Sequence, residues 1–372
     1  MSYLTLWPDS PSDFPAFLLR APKHPRLFLC IIAILRAFAR LPSERTIALR
    51  IHSLFAAFGA TALVALSAAP SLAESTHYPL TLKNCGRDIT FDHAPARVVS
   101  VGQSSTEILY MLGLADKVAG TALWVGPVLP QFAAVNAKIP RLADNDPSFE
   151  SIVEKKPDLV TTQFQWQIGP HGVVATPEQF SELHIPLYTS PADCIGKDNS
   201  GGGDGVRTAK FSMDLIYQEI SDMARVFDVQ DRGDKLIAEL KAREEAARRK
   251  ITALNGKVSA VFWFSSAELD IDPYVAGQSG APGYIMSTLG VRNVIDSQDE
   301  WPTVGWETIA KANPTIIVLG KMDRRRFPAD NIDVKLKFLH TDPVVSKMEA
   351  VRKNRIVVMD AQAMNPTIRT VD

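Results

Sequence analysis

A short motif that occurs twice in this 372-residue chain restricts the possible folds more than any other feature. Residues 149–157 and 306–314 align so that an aromatic residue, a glutamate, an isoleucine and a proline match in register. The aromatic residue and the isoleucine lie three positions apart, so on a helix they face the core together while the intervening glutamate points elsewhere. The matched glutamates are Glu150 and Glu307. This repeat predicts two lobes of one design.

Strand and helix patterns alternate along the chain, beginning after a hairpin-like start at 78–91. Alternation of this kind predicts parallel sheets with helices on their faces. A second, shorter repeat places a Leu-Gly pair in both 111–114 and 288–291, in the same order along the chain as the first repeat. Strands are predicted at 97–102, 118–122, 158–162, 185–189, 258–264, 315–320 and 355–360, and helices at 105–112, 149–156, 177–183, 283–289 and 306–312.

Residues 231–254 consist mainly of strong helix formers and predict one long helix between the two halves. We therefore expect an α/β fold in which two Rossmann-like lobes are joined by a single long helix. The expected divisions are an N-terminal extension and signal peptide at 1–73, an N-terminal lobe at 74–228, the connecting helix at 229–255 and a C-terminal lobe at 256–372.

The N-terminal region has the chemistry of an export signal. Arg45 and Arg50 precede an apolar run at 54–69, and the small residues of 71–73 predict cleavage after Ala73 and a periplasmic protein. A membrane anchor is the alternative, but the run is shorter than the roughly 20 residues that span a bilayer. Residues 1–44 precede a complete signal, which suggests a translation start assigned too far upstream.

Charge and cysteine content narrow the function further. The formal net charge of −1 does not favour a nucleic-acid partner. Cleavage would leave Cys85 and Cys194, an even number in an oxidising compartment, so a disulfide is the natural hypothesis and two unpaired buried thiols are the alternative.

Three segments, 97–109, 149–160 and 281–319, together resemble the periplasmic binding proteins of ABC importers for iron-siderophores and cobalamin. The resemblance covers nearly all of 94–372. It implies a monomeric, non-catalytic protein that needs no cofactor, captures a metal chelate such as a ferric siderophore, and delivers it to a membrane permease. In that family a glutamate of each lobe docks onto the permease, and by motif position these are Glu150 and Glu307.

The chain departs from the family pattern in two places. Gly305 stands where a serine usually precedes the second glutamate, and glycine also caps helices. The chain ends at Asp372, where a final helix would be expected, so a truncated C-terminal lobe is one interpretation.

Residues that directly follow the predicted strands are unusually aromatic. Ligands of open α/β sheets bind outside the carboxyl ends of the strands. Tryptophan offers a large, stiff contact area, while arginine donates fixed pairs of hydrogen bonds to oxygen atoms. We expect these side chains to form a pocket for a bulky anionic complex. The candidate ligand-binding residues are Ser104, Ser105, Trp124, Gln165, Trp166, Trp263, Phe264, Trp301, Arg324, Arg325, Arg326 and Gln362.

Other functions are less well supported by the sequence. The histidines after residue 73 are never three or four positions apart, so the sequence contains no local motif for direct metal binding. The segment 277–281 lacks the last glycine of a hydrolase nucleophile elbow. Cobalamin or haem binding, a periplasmic sensor and an enzyme on the same fold remain alternatives. Ser104 and Glu107 also fit a helix capping box.

Overall fold

The structure, a computed structural model, describes residues 74–251 and 257–372. The predicted signal peptide and its cleavage after Ala73 lie outside the described residues, as does the end of the predicted connecting helix at 252–256. None of the helices within the described ranges is both long enough and apolar enough to cross a membrane.

The described chain begins with a β-hairpin of strands β1 (Leu80–Asn84) and β2 (Arg87–Phe91). Alternate residues of both strands are buried, so one face of the hairpin packs on the core. The hairpin turn is joined to a later loop by a disulfide between Cys85 and Cys194, whose Cα atoms lie 5.5 Å apart.

The first sheet is wholly parallel, with the strand order β5-β4-β3-β6-β7. Strands β3 and β6 are buried along their whole length, as expected where helices cover both faces of a sheet. The strands are β3 (Val98–Val101), β4 (Val118–Ala122), β5 (Arg141–Ala143), β6 (Leu159–Thr162) and β7 (Leu187–Thr189), and the helices are α1 (Gln103–Met111), α2 (Ala133–Asn136), α3 (Phe149–Val153) and α4 (Pro177–Glu182).

A small hairpin and two helices follow the first sheet. The hairpin pairs β8 (Lys197–Asp198) with β9 (Val206–Arg207). Helices α5 (Asp214–Val226) and α6 (Gln230–Lys250) then pack against each other through apolar residues of the first core. Helix α6 occupies the place of the predicted connecting helix, and its role as the single link between the lobes stays a prediction.

The second sheet has the strand order β11-β10-β13-β14, and β12 also pairs with β10. All pairings are parallel except that of β11. The two-lobed α/β fold is thereby confirmed. The strands are β10 (Ser259–Ser265), β11 (Tyr274–Val275), β12 (Arg292–Asn293), β13 (Ile316–Lys321) and β14 (Ile356–Asp360), and the helices are α7 (Ala281–Thr288), α8 (Trp306–Ala312), α9 (Ile332–Thr341) and α10 (Glu349–Arg352).

The two copies of the sequence motif form equivalent helices. Ile152 of α3 and Ile309 of α8 are completely buried. The aromatic residues that open the helices face inward, with ring centroids 5.2 Å apart for Phe149 and Phe180, and 4.8 Å apart for Trp306 and Trp263. Each helix is followed by the strand that pairs with the first strand of its sheet. The spacing of the aromatic residue and the isoleucine in the motif therefore predicts correctly that both pack in the core.

The repeated Leu-Gly pair ends a helix in the same way in both lobes. Gly113 and Gly290 both have positive φ, +75° and +63°, immediately after α1 and α7. In each copy the glycine N–H and the next N–H donate back to carbonyls of the last helical turn. This is the glycine-dependent end that closes many helices.

One face of the second sheet carries an apolar groove of about 540 Å³. Val357 and Val358 of β14 lie in it and are nearly half exposed. The other apolar walls are formed by Phe262, Tyr284, Ile285, Leu289, Val318 and Val371.

The capping box predicted for Ser104 and Glu107 is wrong. Helix α1 begins two residues earlier than predicted, with Gly102 as its N-cap and no side-chain cap. Glu107 is fully buried and accepts hydrogen bonds from Arg369, which lies 262 positions later in the chain. Glu107 therefore pairs with Arg369 instead of forming the predicted hydrogen bond to the start of its own helix.

Candidate functional site: a seam between the two sheets

The carboxyl ends of the parallel strands from both sheets meet in one seam. The loop after β4 contacts the loop after β13, because the N–H groups of Asp323 and Arg324 both donate to the Val125 carbonyl at 2.9 and 3.1 Å. Val125 also packs with Met322 and with Ala361, which follows β14. In each sheet, later strands are added on both sides of the first strand, β3 or β10, so the order of the strands reverses there. Open α/β proteins bind their ligands outside the carboxyl ends of the strands at such a reversal.

Three aromatic side chains and two arginines form a connected surface along this seam, called here the aromatic–arginine surface. The guanidinium of Arg326 lies 5.1 Å from the ring centre of Trp166, and that of Arg324 lies 5.8 Å from the ring centre of Phe264. Phe264 in turn contacts Trp301, with ring centroids 4.7 Å apart. All three aromatic residues are half-buried, so each keeps part of its surface accessible. The surface can take a flat or apolar group between rings and cations.

The arginines of this surface are already paired with aspartates. Arg326 Nη2 lies 3.4 Å from Asp146 Oδ2, and Arg324 Nε lies 3.7 Å from Asp330 Oδ2. Burial lowers the pKa of Arg324, and the nearby Asp330 raises it in part. Arg325 is exposed and donates to the carbonyls of Met322 and Arg324.

A fully buried carboxylate holds the loop that carries the arginines. Asp330 accepts hydrogen bonds from Ser265 Oγ at 2.6 Å, from the Arg326 N–H at 2.7 Å and from the Phe327 N–H at 3.0 Å. Since the same carboxylate contacts β10 and the loop after β13, it fixes the two sides of the surface relative to each other.

A buried lysine lies beneath the same strand ends. Lys335 Nζ donates to the carbonyls of Phe264 and Gly320 at 2.5 and 2.6 Å, and it lies over the Trp263 ring. Burial lowers the pKa of Lys335 to about 7. The lysine thus joins the ends of β10 and β13 directly below Phe264.

Several buried polar atoms of the seam have no hydrogen-bond partner among the described residues. They include Ser104 Oγ, Gln163 Nε2 and both amide atoms of Gln362, in side chains that are 1%, 2% and 0% exposed, and also Arg324 Nε. Ser104 and Gln163 are neighbours, because the Ser104 N–H donates to Gln163 Oε1 at 3.0 Å. A buried polar group without a partner costs about 1–3 kcal/mol, so each of these atoms calls for a partner, which an ordered water or a ligand can supply.

The structure does not bring every predicted residue to this surface. Trp263 is completely buried, and its Nε1 already donates to Ser265 O and Ser266 Oγ, because the residue lies on the core face of β10. Ser105 is also buried, and its hydroxyl donates to Glu219 at 2.7 Å.

Two further predicted residues are held by their own neighbours. Trp124 is buried beneath Arg141, whose guanidinium lies 5.0 Å from its ring, and its Nε1 donates to Thr121. Gln165 is half-buried, and both its N–H and its side-chain amide donate to Asp193.

The two matched glutamates are exposed in the first turns of their helices. Glu150 follows Ser148, whose hydroxyl caps α3 by accepting the Ser151 N–H at 3.1 Å. Glu307 borders a depression of about 260 Å³ that is also lined by Asp270, Asp272 and Asp342. A partner that met this second surface would have to carry positive charge.

Sequence reasoning missed the residues that organise the site. Asp146, Asp330 and Lys335 are not among the candidates, although Asp146 precedes a predicted helix. Gln163 is recognisable from its position directly after a predicted strand. No sequence signal marks Asp330 or Lys335, since their partners lie 65 and 71 positions away.

Known proteins resemble the chain over most of its length. A model of the periplasmic binding protein family matches residues 98–363. An uncharacterised ABC transporter substrate-binding lipoprotein of Bacillus subtilis is 23% identical over 286 residues, covering 76% of this chain and 79% of that protein. A vitamin B12-binding protein of Vibrio campbellii is 26% identical over 233 residues, covering 62% and 73%.

A solved structure agrees with these relatives. The structure titled as an ABC-type Fe3+-hydroxamate transport system from Saccharomonospora viridis superimposes with a TM-score of 0.62 at 26% identity, covering 80% of this chain and 96% of that one. The family match spans both sheets and every residue of the aromatic–arginine surface. The chain therefore belongs to the periplasmic binding protein family, and its relatives include ABC-type substrate-binding proteins.

Proposed function

We propose that the protein captures a ferric siderophore in the periplasm and delivers it to the membrane permease of an ABC importer, without catalysing a reaction. The observation that carries this proposal is the aromatic–arginine surface, which lies where strands of both sheets end and is flanked by unpaired buried polar atoms. A large chelate would contact rings, guanidinium groups and amides there at the same time. Cobalamin is the second candidate, because one relative is named as a vitamin B12-binding protein.

Tryptophan fluorescence tests the ligand part of the proposal. Trp166 and Trp301 are half-buried on the surface, whereas Trp263 and Trp306 are buried. Titration of the purified protein with ferric siderophores, cobalamin and haem should give strong quenching with the true ligand. Trp166→Phe and Trp301→Phe should each remove part of that quenching. A flat signal across all these compounds would contradict the proposal.

The docking part of the proposal concerns Glu150 and Glu307. Both are exposed, both stand at the second position of equivalent helices, and neither belongs to the aromatic–arginine surface. Two rim carboxylates of this kind would set the rate and register of docking onto a basic permease surface.

Charge reversal tests the docking role. The double variant Glu150→Lys/Glu307→Lys should bind ligand as the wild type does but abolish import of radiolabelled ligand by cells. A matched control, Glu182→Lys/Glu268→Lys, reverses two other exposed glutamates and should import normally. Normal import by the first variant would exclude docking through these two residues, and a sensor that signals to a membrane receptor would then become the better explanation.

A further inference from the structure

We propose that Lys197, which is not part of the aromatic–arginine surface, is a positioning residue that holds the two tryptophans of that surface, Trp166 and Trp301, at a fixed separation. It does so through one buried carboxylate on each side, Asp193 and Glu300. This role rests on the proposed function, because these two rings are the ones that would hold the ligand. A continuous row of contacts from one ring to the other carries the proposal.

The first half of the row joins Trp166 to Lys197. Gln165 directly precedes Trp166, and its N–H donates to Asp193 Oδ2 at 2.6 Å, while its side-chain amide donates to the Asp193 backbone carbonyl at 3.1 Å. The other carboxylate oxygen, Asp193 Oδ1, accepts a hydrogen bond from Lys197 Nζ at 2.7 Å. Asp193 is only 3% exposed, so it links the tryptophan loop to the lysine away from water.

The second half of the row joins Lys197 to Trp301. Lys197 Nζ lies 3.5 Å from Glu300 Oε2, and Glu300 directly precedes Trp301. Arg207 Nε donates to the same oxygen at 2.8 Å. Arg207 Nη2 donates to the Ala192 carbonyl, and the buried Nη1 has no hydrogen-bond partner among the described residues. Because the two tryptophans belong to different sheets, the row crosses from one lobe to the other.

Lys197 is itself held in place. It lies in β8, where it pairs with Arg207 of β9, and its side chain is 1% exposed. The turn before β8 is tied to the first hairpin by the disulfide between Cys85 and Cys194. The ammonium group therefore has a fixed position, and the loops that carry its two carboxylate partners are fixed with it.

The charges around Lys197 show why its ammonium group is needed. The groups that face it are Asp193, Asp204 and Glu300, and Arg207 is the other cation of the cluster. Burial alone would lower the pKa of Lys197, but the three carboxylates raise it above the ordinary lysine value, so the amine stays charged at neutral pH. Without this charge, two buried carboxylates would share one arginine and repel each other across the lobes.

Lys197→Met should therefore separate the two tryptophan loops in a pH-dependent way. The variant keeps a long side chain but removes the charge between Asp193 and Glu300. Burial raises the pKa of Asp193 and Lys197 lowers it in part, so the substitution raises that pKa further. The repulsion should be present at about pH 8 and absent at about pH 5, where Asp193 takes up a proton. A loss of packing alone would have no such pH dependence.

Fluorine NMR of the full chain labelled with fluorotryptophan tests the proposal without a ligand. The exposure of each ring is measured by its change in chemical shift between water and heavy water, and Trp→Phe variants identify the signals. In Lys197→Met, Trp166 and Trp301 should be as exposed as in the wild type at about pH 5 and more exposed at about pH 8, while Trp263 and Trp306 stay unchanged. Equal exposure at both pH values, or a rise for all four rings together, would overturn the proposal.

Asp193→Asn breaks the row at one end and keeps the charges of the cluster balanced. Asp193 gives Gln165 and Lys197 one carboxylate oxygen each, whereas asparagine has a single oxygen that accepts hydrogen bonds. The Trp166 signal should change and the Trp301 signal should not, because Lys197 still meets Glu300. An unchanged Trp166 signal would contradict the first half of the row.

The matched control is Asp204→Asn. Asp204 lies 3.2 Å from Lys197 Nζ, but its side chain is 44% exposed and it contacts neither tryptophan loop through the row. Both tryptophan signals should stay as in the wild type. If this variant changed them as much as Lys197→Met does, the total charge of the cluster would matter and not the row of contacts.

Ligand titration connects the positioning role to binding. The probes are a ferric trihydroxamate, cyanocobalamin and haem, followed by tryptophan quenching. Any probe that quenches the wild type should bind Lys197→Met about tenfold more weakly at about pH 8, because the two rings are rarely in place together, and equally well at about pH 5. Equal affinity at both pH values would overturn the positioning role and leave the proposed function intact. If no probe quenched the wild type, the proposed function would fail, and the NMR result would still decide the role of Lys197.

Discussion

At the scale of single residues, Lys335 has the most unusual environment in the site. Its ammonium group is enclosed by two backbone carbonyls, the Trp263 ring and the nearby Asp330 and Arg324, and burial lowers its pKa to about 7. In the unfolded chain the lysine pKa returns to about 10.4. Between these pH values the unfolded chain binds a proton that the folded chain lacks, so stability rises with pH from about 7 to about 10.4 and does not change further below about 7.

This linkage gives a pH-dependent prediction. Between about pH 7 and about pH 9, the free energy of unfolding of the wild type should rise by ~2 kcal/mol relative to that of Lys335→Met, which has no proton to lose. Urea unfolding at a series of pH values measures the difference. Lys337→Met, which removes an exposed lysine of the same helix, should follow the wild type. A pH-independent difference between wild type and Lys335→Met would show that the buried amine is charged throughout this range.

Residue-scale features divide sharply into those that the sequence could predict and those that it could not. The burial of Ile152 and Ile309 and the exposure of Glu150 and Glu307 follow from spacing on a helix. Trp263 was indistinguishable from Phe264 in sequence, because adjacent residues of a strand point to opposite faces and the sequence did not say which face was covered. Glu107 and Asp330 depend on partners far away in the chain, and local patterns carry no information about such pairs.

At the scale of elements, the two lobes share one kind of helix end but differ in how a helix starts. Gly113 and Gly290 turn the chain back at the ends of α1 and α7 with left-handed backbone. The starts of α3 and α8 differ, since Ser148 caps one with its hydroxyl while Gly305 has no side chain to do so. A Cβ at Gly305 would lie 3.1 Å from Asp272 Oδ1, which explains why glycine fits where serine is usual in the family.

The helix ends also give a stability prediction. Gly290→Ala should lower the free energy of unfolding by ~1 kcal/mol, because an L-residue is strained at a φ of +63°. Gly201→Ala is the matched control, since its added Cβ meets no atom within 4 Å and its φ is not positive. Urea unfolding compares the two variants. A larger loss for the control would contradict the role assigned to the left-handed helix end.

At the scale of the whole molecule, two buried ionic bridges join the halves of the chain across the seam. Arg369 donates to Glu107 of α1 through Nε at 2.9 Å and to Asp360 at the end of β14 through Nη1 at 2.5 Å. Arg207 of β9 donates to Glu300 at 2.8 Å, and both side chains are almost completely buried. With these bridges in place the lobes should move little relative to each other.

The bridge between Arg369 and Glu107 allows a decisive test of this rigidity. Arg369→Met leaves a carboxylate buried without its main partner, so it should lower the free energy of unfolding by ~3–5 kcal/mol. Adding Glu107→Gln removes that charge as well, so the double variant should be more stable than Arg369→Met. Urea unfolding of both single variants and the double variant measures the coupling. The control is the exposed pair of Lys353 and Glu349, 2.5 Å apart, whose coupling should stay below ~1 kcal/mol. If the two substitutions in the buried bridge were simply additive, Arg369 would contribute through packing alone, and the ionic bridge would not be what holds the two halves together.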